Sequence, residues 1–196
     1  MYRFYLAAVD MLPAALILIP FFLIFNRIFF RSTRKCILYY LFACYLAVVS
    51  VLVGLPNVTY IRPELNLNLI PIIGMIADWK NSFLNILLFV PLGIMLPLLW
   101  NKFRNCKYTV LFGFLMSLTI ELLQILTYRA TDINDLITNT LGTCIGYLGA
   151  AAVLRKSHFQ GEKNTFELGI VIVTVLLTMF FVYPFVSAVL WDWIIG

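Results

Sequence analysis

Charge is what this chain has least of. Only 12% of its 196 residues are Asp, Glu, Lys or Arg, where a water-soluble domain carries roughly 25%. With 63% hydrophobic residues, the solvent for most of its surface is lipid. Histidine is scarcer still: the sole His158 sits in a charged loop and reads as an ordinary surface imidazole. The four cysteines, Cys36, Cys44, Cys106 and Cys144, make no C-x-x-C pair and no Cys/His ligand spacing. A metal site is therefore not expected, and no cofactor is implied. No internal repeat or low-complexity tract is evident, which excludes a solenoid. No basic patch interleaved with aromatics is present, so a nucleic-acid partner is not expected. The net charge of +5 reads instead as a topology signal. The length suits one bundle, a single transmembrane domain over residues 1–196.

A helix needs about 20 apolar residues to cross a bilayer. Six runs meet or approach that length: Tyr5–Phe30, Cys36–Leu55, Ser82–Trp100, Tyr108–Tyr128, Asp135–Leu154 and Leu168–Leu190. The expected fold is all-α, a polytopic transmembrane helical bundle. The first run lacks a small-residue cleavage site, and its positive charge follows rather than leads it, so it reads as a retained span. Ten of the fourteen Lys and Arg residues fall after spans one, three and five, among them Arg27, Arg31, Lys102, Lys107 and Arg155. The other four are Arg3, Arg62, Lys80 and Arg129. This bias predicts both termini outside the cytoplasm. Trp79, Trp100, Trp191 and Trp193 all fall at predicted span ends, where indole rings prefer the headgroup zone.

On that topology most acidic residues lie at or near the outer face. Glu121 stands inside span four, about two turns from its outer end at 1.5 Å per residue. The long segment Pro56–Asn81 contains LNLNLIPIIGMIAD. Leu65–Leu69 alternates with a period of two, as an extended strand does. Ile70–Ala77 is apolar but too short to span, and is expected as an interfacial or re-entrant piece on the outer side.

The polar residues of spans three to five fall on shared faces. Ser117, Glu121, Gln124 and Tyr128 are spaced as one helix face, and so are Asp135, Asn139, Gly142 and Gly146. A short loop makes spans four and five antiparallel neighbours, with Thr131 or Asp132 capping the second. Span three adds Asn85, the helix-interrupting Pro91, and Gly93, which permits a neighbour to approach. The expected site is an outward polar cavity lined by Asn85, Glu121, Gln124, Asp135 and Asn139, with Asp132 beside it and Arg129 at its rim. A carboxyl inside a span is costly, which makes Glu121 a functional candidate. The structural alternative is a Glu121 that is protonated or paired with Arg129. For Asp132 capping is the favoured role, and Gly142 with Gly146 forms a packing pattern.

The blocks LNLNLIPI, NILLFVPLG, SLTIELLQ and TDINDLITNTLG occur in that order. Through them the segment 65–146 resembles the VanZ-like family of bacterial membrane proteins. Spans one, two and six lie outside these blocks. Founding members of that family are linked to resistance to teicoplanin, a lipoglycopeptide antibiotic. The resemblance implies that Asn85, Pro91, Gly93, Glu121, Gln124, Asp132, Asp135, Asn139 and Gly142 hold the family's motif positions. It implies a phenotype rather than a reaction.

Three functions compete on these grounds. The first is an envelope protein engaging membrane lipids and an amphiphilic ligand, a lipoglycopeptide or a lipid-linked cell-wall precursor. The second is an intramembrane enzyme with Glu121 and Asp135 as its catalytic acid and base. Asp132 and Asp135 would then hold a divalent cation against a substrate phosphate. The third is a transporter using the buried Glu, although no repeated half or paired broken helix supports it.

Overall fold

In the computed structural model, residues 2–63, 66–68, 71, 78–127, 129, 131–156 and 160–195 are described. Among them six helical segments are long and apolar enough to cross a membrane. Helix α1 covers Tyr2–Phe25 and α2 covers Thr33–Val53. Helix α3 covers Trp79–Leu99, α4 covers Cys106–Gln124 and α5 covers Ile133–Lys156. The last span joins α6, Phe166–Leu177, to α7, Tyr183–Ile195, through a π-helical turn at Thr178–Val182. The six expected runs are all helical, so the fold is the anticipated all-α membrane bundle. Four prolines, Pro13, Pro20, Pro91 and Pro97, lie inside helices, which transmembrane helices tolerate because neighbours can satisfy freed backbone groups.

The described residues group into two compact units, 1–61 with 166–196, and 62–165. In the first, α1 ends in a π-helical turn, Asn26–Phe30. Arg31 then takes a left-handed conformation at φ 49°. Its N–H donates to the Asn26 carbonyl at 2.8 Å, and Ser32 N–H donates to Asn26 Oδ1 at 3.1 Å. This tight reversal lets α1 pack on α2. At the same end the buried Tyr39 hydroxyl donates to Glu167 Oε2 at 2.6 Å, and Lys35 Nζ lies 3.7 Å from Glu167 Oε1. That bond ties α2 to α6. Gly54, at φ 63°, closes α2 in the left-handed turn that glycine adopts without a Cβ penalty.

The second unit is built on α3, α4 and α5. Helices α3 and α5 pack with almost no side chain between them. A Cβ added at Gly142 would overlap the Ile86 carbonyl oxygen, and one at Gly146 the Val90 carbonyl oxygen. On the partner helix, a Cβ at Gly93 would overlap the Thr143 carbonyl oxygen. Small residues thus serve the packing role expected of them, since lipid supplies no hydrophobic drive and close backbone approach must supply the attraction. After α5 the chain returns to the end of α3. Glu162 N–H donates to the Leu99 carbonyl at 2.8 Å, and Asn101 N–H donates to the Glu162 carbonyl at 2.9 Å.

Two expectations need adjustment. Span four was read to Tyr128, but α4 ends at Gln124 and the chain turns there, with Thr127 N–H and Oγ1 both donating to the Gln124 carbonyl. Within the alternating LNLNL segment, Leu65 and Leu69 lie outside the described residues, and Leu67 and Asn68 are extended. Leu67–Asn68 (β1) runs parallel to Thr131–Asp132 (β2). Of the proposed interfacial piece Ile70–Ala77, only Pro71 falls within the described residues.

Candidate functional site

The polar residues meet where α4 ends and α5 begins. Asp132 stands immediately before α5 and acts as its N-cap: its Oδ1 accepts from Asn134 N–H at 2.8 Å and from Asn134 Nδ2 at 2.7 Å. Capping satisfies amides that have no partner inside the helix. Its second oxygen accepts from Asn68 Nδ2 at 3.0 Å, which ties the cap to β1.

Glu121 is 4% exposed. It lies near the end of α4, and its Oε2 accepts from Asp132 N–H at 2.8 Å. The Glu121 backbone carbonyl accepts from Thr131 Oγ1 at 3.0 Å. Thr131 N–H in turn donates to the Asn66 carbonyl at 2.9 Å. One buried residue thus binds the segment leading into α5 through both side chain and backbone. This pairing with the Asp132 amide was not among the sequence expectations, whose structural alternative was a Glu121 protonated or paired with Arg129.

Asp135 is half-buried in the first turn of α5, and its carboxyl is hydrogen-bonded by the Asn85 side chain of α3. Asn139, one turn further on, turns to α4 instead: its Nδ2 donates to Ser117 Oγ at 2.9 Å, and both residues are buried. Gln124 is buried at the end of α4. Arg129 is exposed in the connecting loop, with its N–H donating to the Thr127 carbonyl. Arg129, Asp132 and Asp135 all lie within electrostatic range of Glu121.

The seven candidates therefore fall into three contacts and two flanking positions. Glu121 joins Asp132, Asp135 joins Asn85, and Asn139 joins Ser117, while Gln124 and Arg129 flank them. Among the described residues, no three His, Cys, Asp or Glu side chains gather as a metal-holding group. Sequence reasoning missed Asn134 and Asn68, and it offered Thr131 as a cap of α5, whereas its hydroxyl bonds the Glu121 carbonyl. Asn134 carried a signal, because an amide two positions after a capping Asp is well placed to bond back to it. Asn68 carried none, because its partner lies 64 residues away.

A family model described as VanZ/LLP1 matches residues 36–155. The match takes in α2 to α5 and every candidate residue named above. Protein VanZ of Enterococcus faecium is 31% identical to this chain over 121 residues, covering 60% of this chain and 71% of that protein. No solved structure gives a significant match. Together with the six apolar spans, these findings make the chain a multi-pass membrane protein.

Proposed function

The chain belongs to the VanZ/LLP1 family, and from that membership we propose that it acts in the bacterial cell envelope, lowering susceptibility to teicoplanin-type lipoglycopeptides or handling lipid-linked cell-wall components. One observation carries this reading. In a chain so poor in charge, Glu121, Asp132 and Asp135 gather with Asn85 and Arg129 where α4 meets α5. Side chains of this kind suit the hydroxyls, peptides and amines of such ligands. The orientation that goes with this reading sets both termini outside the cytoplasm, so that the cluster faces the outer leaflet as a polar cavity. The test is expression in a teicoplanin-sensitive host, with susceptibility and binding of labelled teicoplanin at the cell surface both measured. Reduced susceptibility with altered surface binding is expected. Unchanged values in both, with the protein present in the membrane, would overturn the reading.

A second reading draws on the two carboxyls that sit inside spans in mutual electrostatic range, Glu121 and Asp135. As acid and base they would act on a lipid-linked substrate. Turnover of lipid-linked precursors in vesicles, lost in both Glu121→Gln and Asp135→Asn, would favour it over a binding role.

A further inference from the structure

The turn between α1 and α2 is the most basic stretch of the first unit. From Asn26 to Lys35 the chain carries Arg27, Arg31, Arg34 and Lys35 and no acid. The acid that the fold brings to them is Glu167 at the start of α6. Its carboxylate is engaged by the Tyr39 hydroxyl at 2.6 Å and by Lys35 at 3.7 Å. The charge of three arginines is left in excess, and Arg27, Arg31 and Arg34 are all exposed.

A charge bias that only oriented the spans would need basic residues of either kind, in any conformation. Two features here go beyond that. The three excess cations are all arginines, whose planar fork matches a phosphate through two bonds at once. Arg31 also occupies a backbone position that suits glycine: among the described residues it is the one non-glycine with a positive φ, 49°. The reversal is held without its side chain, by Arg31 N–H on the Asn26 carbonyl and Ser32 N–H on Asn26 Oδ1. A glycine would serve the turn at lower cost, so the guanidinium is there for something other than the turn.

Apolar surface adjoins these cations. Ile28 and Phe29, between Arg27 and Arg31, are exposed as well. The Phe29 ring packs edge-on against that of Phe166, 6.4 Å between centroids, and Phe166 is itself exposed at the start of α6. Guanidinium groups beside lipid-facing rings at the end of a span stand at the headgroup level, where the abundant anion is a lipid phosphate. We propose that Arg27, Arg31 and Arg34 hold the headgroup of an anionic phospholipid at the turn between α1 and α2, with Phe29 and Phe166 against its acyl chains. Such a lipid would brace the junction of α1, α2 and α6. Its binding would be independent of any resistance activity and of which leaflet the turn meets.

The experiment is thermal unfolding of the purified full chain in lipid nanodiscs, of phosphatidylcholine alone and of phosphatidylcholine mixed with phosphatidylglycerol. The melting midpoint is expected to be several degrees higher with the anionic lipid, and the gain to shrink as salt is raised. Arg27→Gln combined with Arg34→Gln should lose most of the gain. Arg31→Gly should melt no lower than the wild type in phosphatidylcholine, because the turn is relieved, and still lose part of the gain. Lys107→Gln, at an exposed position in the first turn of α4, should keep it. Equal midpoints in the two lipids overturn the proposal. So does a gain that survives the arginine substitutions, as diffuse surface charge would give. An equal gain from inorganic phosphate added to phosphatidylcholine discs would assign the arginines to a soluble anion and overturn it too.

Discussion

The side chain of Glu121 accepts the backbone N–H of Asp132 at 2.8 Å, so an acidic residue within one span holds the residue that caps the next. Asp132 then caps α5 through its own side chain. The two residues form a chain of support from the end of α4, through the connecting loop, into the first turn of α5. Each link satisfies a backbone amide that the bilayer could not solvate.

This relationship separates a structural Glu121 from a catalytic one. Glu121→Ala leaves the Asp132 amide without its acceptor and is expected to cost about 1–3 kcal/mol. Glu121→Gln keeps an acceptor oxygen and should cost clearly less. Denaturation of the purified variants in detergent measures both. If the role is support, the loss of function in each variant follows its loss of stability and Gln is tolerated. Equal loss of activity in Gln and Ala, with Gln stably folded, would instead mark a proton-transfer role.

Asp132→Ala removes the α5 cap and the bond to Asn68 together. The expected loss is about 0.5–2 kcal/mol, the usual range for an N-cap. Asp132→Ser retains a capping oxygen and should recover most of it. Hydrogen exchange at the first turn of α5 is the direct readout. Equal protection in the wild type and Asp132→Ala would refute the capping role.

Glycines on α5 divide by their surroundings. Gly142→Ala drives a Cβ into the Ile86 backbone carbonyl, which cannot rotate away. Overpacking of about 1–3 kcal/mol is expected. Gly149 has nothing within 4 Å of such a Cβ, so Gly149→Ala should be neutral or stabilising by up to about 1 kcal/mol through helix propensity. Melting temperatures of the pair, taken side by side, check this. Equal sensitivity at both positions would mean that α3 and α5 do not pack as closely as described.

From the charge bias, Cys106 is expected on the cytoplasmic side and Thr59 on the outer side, and both are exposed. A membrane-impermeant maleimide should label Cys106 only after permeabilisation. Thr59→Cys should be labelled in intact cells. The reverse pattern would invert the orientation and move the Glu121 cluster to the cytoplasmic side.

Much of the architecture was legible because the bilayer imposes a length and polarity rule on each segment separately. Any run such as Ser82–Trp100 must be helical to satisfy its backbone without water. Glu121, Asp135 and Asn139 also stood out in the sequence, because polar groups are rare and expensive in such runs. Local chemistry reached further at Asp132, whose capping role depends only on the residues that follow it.

The sequence by itself determined six spans, which residues are polar within them, and which of those share a helix face, since each follows from helical periodicity and the cost of polarity in lipid. Only the tertiary structure decided the partners. Asp135 turns to Asn85 on α3 and Asn139 to Ser117 on α4, although the two stand one turn apart on the same helix. Glu121 meets the Asp132 amide, with Arg129 nearby but exposed. Those choices depend on how closely the glycines let α5 approach its neighbours and on where the loop after Gln124 returns. Both are sums over distant contacts that no local pattern encodes.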